Sequence, residues 1–107
     1  MASDLDRRTE PRIYPQDSVF VEYPNQRPRV RDISLSGAYI EDSRPLPRGR
    51  VIPLRLWLDQ NNAINVQVMV RHSEEGIGMG VEFLGMNDND RQRLRQFVSA
   101  PGQVRTS

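Results

Sequence analysis

Apolar and polar residues alternate with a period of two along most of this chain. In residues 18–23, Val19, Val21 and Tyr23 share one face, with Phe20 and Glu22 opposite. Such alternation marks a strand with one buried face. Pro24-Asn25-Gln26 is a turn signal. A second strand is predicted over residues 29–34, an interruption at Ser36-Gly37, and a third strand over residues 38–41. Pro45 and Pro47 with Arg48-Gly49 mark a loop. The clearest strand covers residues 51–58, where Ile52, Leu54, Leu56 and Leu58 face one way and Arg55 and Trp57 the other. After a turn at residues 59–62, Ile64, Val66, Val68 and Val70 alternate with polar partners. A turn over residues 73–76 leads to a last strand at residues 77–84, with Val81 and Phe83 inward. Gly78 and Gly80 within it predict bending or a close backbone approach.

The period then changes. Asn87 or Asp88 can cap a helix, and Asp88 and Asp90 suit its positive N-terminal end. Leu94, Phe97 and Val98 form one apolar stripe, with Arg91 and Arg95 away from it, and Pro101-Gly102 ends the helix. About six short strands joined by tight turns, followed by one helix, predict an all-β antiparallel barrel or sandwich with the helix over an open end. Residues 1–12 are polar and broken by Pro11, which predicts a flexible arm. Residues 13–100 then form the folded unit and residues 101–107 a disordered tail.

A chain of 107 residues is one small domain. Its formal net charge of +1 gives no overall field aimed at nucleic acid or an acidic membrane. Arginines cluster locally instead, at 7, 8 and 12 and again at 27, 29 and 31. Cysteine is absent, which removes disulfides and thiolate chemistry. No stretch approaches the roughly 18 apolar residues of a membrane span, and the N-terminus lacks an apolar secretory segment. The expectation is a cytoplasmic protein without membrane insertion.

Two short signatures carry the chemistry. Arg8-Thr9-Glu10-Pro11-Arg12 is an R-x-x-x-R, and Asp32-Ile33-Ser34-Leu35-Ser36-Gly37 is a D-x-S-x-x-G. In this order, ahead of several strands, the pair resembles the ligand-binding signature of the PilZ domain, over roughly residues 7–99. That family is known as a receptor for the bacterial second messenger cyclic diguanylate (cyclic di-GMP). The resemblance implies a six-stranded antiparallel β-barrel of split-barrel type capped by a C-terminal α-helix. It also implies that Arg8 and Arg12 bind guanine and phosphate, and that Asp32 and Ser34 are polar ligand contacts. Arg7 matches a position associated in the family with a stacked, intercalated pair of ligands.

Those residue types suit the ligand. A cyclic dinucleotide carries two phosphates and two flat guanines with N7 and O6 acceptors. A guanidinium stacks on a base, pairs with N7 and O6, or grips a phosphate. A carboxylate at Asp32 can accept from the guanine N1 and N2 hydrogens, a hydroxyl at Ser34 can hold a base or phosphate, and Gly37 allows a tight turn and close ligand approach. Taken alone, Asp32 to Gly37 also reads as an ordinary strand–turn–strand whose serines bond their own backbone. The three arginines of the arm alone read as a solvated tail.

Other candidates are weaker. His72, the only histidine, has no metal or triad context. Glu74-Glu75 reads as a solvated turn and Trp57 as packing. Arg71 can extend a basic pocket, and Arg27, Arg29 and Arg31 alternate on one face, where they reinforce an anion site or meet a partner. The sequence therefore predicts a stand-alone, non-enzymatic effector that binds cyclic di-GMP, needs no cofactor, and signals to a protein partner. One rival is a PilZ-like adapter in motility or pilus assemblies that does not use nucleotide. DNA or RNA binding is not expected, because the seven aromatics fall mostly on core positions rather than on a stacking platform.

Overall fold

The computed structural model describes residues 12–15, 19–24, 26–99 and 105–106. Its strands are β1 (Arg12–Ile13), β2 (Phe20–Glu22), β3 (Val30–Ile33), β4 (Gly37–Glu41), β5 (Val51–Asp59), β6 (Asn62–Glu74), β7 (Gly78–Gly85) and β8 (Arg105–Thr106). A single helix, α1 (Asp88–Ser99), lies between β7 and β8. One antiparallel sheet runs in the order β2-β5-β6-β7-β4-β3-β1-β8.

The sheet curls but its ladder is not continuous. Between β2 and the start of β3 a single bridge, Phe20 to Arg29, spans the gap. Two backbone hydrogen bonds support it, Val21 N–H to Pro28 O at 3.0 Å and Val30 N–H to Val19 O at 2.9 Å. The sequence predicts six strands, and eight are present among the described residues. The additional β1 and β8 are two residues each, too short for a period to register. β8 pairs with β1 (Arg12 with Thr106, Ile13 with Arg105) in a segment expected to be a disordered tail. Similarly, Arg12, expected on a flexible arm, lies in β1, whose Ile13 pairs with Ile33 of β3.

The alternation of β5 and β6 becomes the core. Leu54 pairs with Val66 and Leu56 with Ile64, Leu58 follows at a register shift before Asp59, and all five are buried. At about 25 cal/mol per Å2 of apolar surface removed from water, such rows supply the main drive for folding. Asp59 closes the β5–β6 turn by accepting from Asn61 N–H and Asn62 Nδ2, both at 2.8 Å. β6 extends to Glu74, beyond its predicted end, because pairing with β7 resumes past an extra residue at Arg71.

Asn87 caps α1, its Oδ1 accepting from Asp90 N–H at 2.8 Å. Leu94 and Val98 enter the core, and Phe97 packs against it. Asp90 does more than suit the helix end. It is buried, and its Oδ2 accepts from Asn65 N–H at 3.1 Å, tying α1 to β6. No helix among the described residues is long and apolar enough to cross a membrane.

Candidate functional site

The outer face of β3, β4, β7 and β6 carries a cleft of about 430 Å3, within the ~300–1,000 Å3 usual for small-molecule sites. Two β-bulges build its walls. In β3, Val30 pairs with Ile40 and Asp32 with Tyr39, so Arg31 is an extra residue. In β6, Val70 pairs with Val81 and His72 with Gly80, so Arg71 is extra. A bulge bends its strand and re-aims side chains there. Arg31 and Asp32 thereby line one wall, and Arg71 and His72 the other.

Asp32 is the hub. It is 2% exposed. Arg12 Nη1 donates to its Oδ1 at 2.5 Å, and Arg31 Nε donates to its Oδ2 at 3.0 Å. A buried carboxylate needs such partners, and charge-assisted bonds are the strong ones. Each guanidinium carries five N–H donors, and the bond to Asp32 takes one from each arginine. The effect is to fix two cations, from β1 and β3, at the cleft.

Tyr39 sits beneath Arg31. The Arg31 guanidinium carbon is 3.9 Å from the Tyr39 ring centroid. Glycines in β7 leave room for that ring, since a Cβ on Gly78 would fall 2.7 Å from Tyr39 Cε1 and 2.3 Å from Ile40 O. The Tyr39 hydroxyl donates to Glu74. Burial, and secondly that bond to a carboxylate, push the phenol from 10.0 up to about 12. The same bond holds the Glu74 carboxyl below its ordinary value. His72 Nε2 lies 3.7 Å from Glu74 Oε2, and Arg71 Nη1 lies 3.1 Å from Glu82 Oε1.

The remaining signature residues are placed as follows. Arg7 and Arg8 lie outside the described residues. Gly37 lines the cleft, but its φ is not in the left-handed region, which among described glycines holds Gly49 and Gly76. Glycine is needed there because a Cβ would lie 2.3 Å from Val81 O, so β4 could not approach β7. Ser34 is buried and its hydroxyl serves the hairpin turn, accepting from Ser36 N–H at 3.3 Å and lying 3.5 Å from Gly37 O. Ser36, not Ser34, lines the cleft.

Of the second arginine cluster, only Arg31 reaches this site. Arg29 pairs with Glu41 at 2.9 Å. Arg27 lies 5.8 Å from the Phe20 ring centroid and 6.0 Å from that of Trp57, whose Nε1 donates to Glu22 at 2.7 Å on the sheet exterior. The bulge that separates Arg31 from its neighbours leaves no mark in the alternation. Tyr39 is likewise unmarked in the sequence, because its place opposite Gly80 of β7 is set by the strand pairing. A second hollow, of about 610 Å3, lies by Tyr23, Pro53 and Gln67, with Arg55 and Glu22 as its charged lining. It lacks the convergence of cations seen over Asp32.

The PilZ domain family profile matches residues 6–100, and the chain belongs to that family. No curated protein matches. Among solved structures, an uncharacterized Legionella protein, Lpg0364, is 17% identical with a TM-score of 0.60, covering 78% of this chain and 84% of that one. The Bacillus subtilis inhibitor of motility (MotI/DgrA) is 22% identical with a TM-score of 0.69, covering 86% of this chain and 49% of that one. The PilZ domain of CeSA from a cellulose-synthesizing bacterium is 16% identical with a TM-score of 0.58, covering 81% of this chain and 93% of that one. At these identities the likeness concerns the fold.

Proposed function

We propose that this domain is a receptor for cyclic di-GMP, held in the cleft over β3, β4, β7 and β6. The observation that carries the reading is the clamp on Asp32, which fixes Arg12 and Arg31 side by side above a recessed floor. Membership of a family of cyclic di-GMP receptors supports it. Arg12, Arg31 and Arg71 set three cations against Asp32 and Glu82 in the lining, an excess of positive charge that favours an anionic ligand. Guanidinium donors match guanine N7 and O6 as well as phosphate. Arg8, and Arg7 for a second stacked ligand, complete the site as the family signature implies. Ser34 contributes through the turn that places Ser36 and Gly37.

Binding transfers information through shape and charge rather than chemistry. The ligand covers the Arg12 segment and neutralises the arginine-lined face, so a protein partner meets a different surface before and after binding. Calorimetric titration with cyclic di-GMP tests the reading. Saturable binding that Arg12→Ala weakens by about tenfold or more is expected, as for loss of a charge-assisted contact. A stoichiometry near two ligands per chain would support the role given to Arg7, and one near unity would remove it. Absence of binding to folded wild-type protein would transfer the proposal to a nucleotide-independent adapter.

A further inference from the structure

Beyond the signature residues, the cleft holds an arginine, Arg31, whose orientation is unusually determined. Arg31 is gripped on two sides. Its Nε is spent on Asp32 at 3.0 Å, and one face of its guanidinium lies on the Tyr39 ring at 3.9 Å. Tyr39 is itself immobilised by Glu74 at its hydroxyl and by the close backbone of Gly78 at its edge. The Arg31 side chain is nevertheless 49% exposed. A planar cation fixed on one face and open to the cleft on the other is suited to stack a flat base, because a guanidinium stacks on π systems from either side. Prior fixing of its rotamers removes an ordering cost that a mobile side chain would bear on binding.

The opposite wall strengthens the argument. Arg71 projects from the matching bulge on β6. With β4 and β7 between them, the β3 and β6 walls stand about 14 Å apart along the sheet, at ~4.8 Å per strand. No single phosphate touches both. A ligand that meets both must present separated groups, as a two-base, two-phosphate ring does.

We propose that Arg31 is a further ligand-binding residue that stacks on one guanine of the dinucleotide, and that Tyr39 is the positioning residue that holds its plane. This rests on the cyclic di-GMP reading above. The test is calorimetry with cyclic di-GMP on full-length wild type, Arg31→Ala, Arg31→Lys, Tyr39→Leu and Tyr39→Phe, each checked for folding by circular dichroism. Arg31→Ala should weaken binding about tenfold or more. Arg31→Lys keeps the charge but not the plane, so it should recover only a minor part. Tyr39→Leu should weaken binding, and Tyr39→Phe, which keeps the ring, should restore most of the loss. Wild-type binding that Arg31→Ala leaves within about twofold, or that Arg31→Lys fully restores, overturns the stacking role alone. Equal losses in Tyr39→Leu and Tyr39→Phe overturn the positioning role. A wild-type chain that does not bind overturns the receptor reading and this inference together. The folding check places any unfolded variant outside the comparison, and the lysine and phenylalanine variants keep both roles falsifiable.

Discussion

The β5–β6 hairpin and the cleft face are built from the same antiparallel pairing, yet they obey opposite rules. Through most of the hairpin the register is regular. Leu54 meets Val66 and Leu56 meets Ile64, and every second side chain enters the core. Over the cleft the register breaks at Arg31 and again at Arg71, and glycines replace side chains in β4 and β7. Regularity concentrates apolar area and therefore stability. Irregularity turns arginines out of their alternation, and glycine lets the edge of a tyrosine ring pack close to the backbone. The two regions should therefore respond to substitution in opposite ways.

Leu56→Ala gives the largest effect. Leu56 is 0% exposed, and its truncation should cost about 2–5 kcal/mol of unfolding free energy in denaturant titration. Ligand affinity of the folded protein should stay unchanged. Gly37→Val sits where the two regions meet. Its side chain would press on Val81 O, where an added Cβ already stands at 2.3 Å, and backbone cannot yield cheaply. We expect a loss of about 1–3 kcal/mol, now accompanied by weaker binding. Arg71→Ala reverses the hairpin pattern. Arg71 is 52% exposed and makes weak surface contacts, an ion pair with half-buried Glu82 and a bond to Met69 Sδ at 3.8 Å, so stability should move by less than about 0.5 kcal/mol, while affinity falls roughly two- to fivefold.

The smallest effect is a titration. Tyr39 is raised from 10.0 to about 12 in the folded state. A group whose folded value is raised keeps its stabilising contribution below its unfolded value and loses it as pH climbs toward the folded one. Stability should thus decline between pH 10 and about 12, and Tyr39→Phe should make that decline shallower without abolishing it, because burial and the bond to Asp42 also raise Tyr23. Phenolate absorbance during alkaline titration, compared between the two proteins, checks it.

The same contrast explains what could be read in advance. The core rows of β5 and β6 are legible because alternation over many residues admits one buried face. The helix is legible through Leu94, Phe97 and Val98, and its cap through Asn87. β1 and β8 are illegible because two residues carry no period. Asp32, Arg12 and Gly37 stand out by their spacing, and all three line one cleft. Neither the splitting of Arg31 from Arg27 and Arg29 nor the inward turn of the Ser34 hydroxyl is visible in spacing. A bulge is a property of the pairing partner's register. The hairpin's local hydrogen bonds claim a serine that the motif alone leaves open to a ligand.

The most direct test of the account is the change in amide NMR spectra as cyclic di-GMP is added. Shifts concentrated in residues 31–39 and 71–82, with the β5 side of the hairpin and the Tyr23–Pro53 hollow unmoved, are the predicted result. Shifts centred on Tyr23, Pro53 and Gln67, or no shifts in a folded protein at saturating ligand, would contradict it.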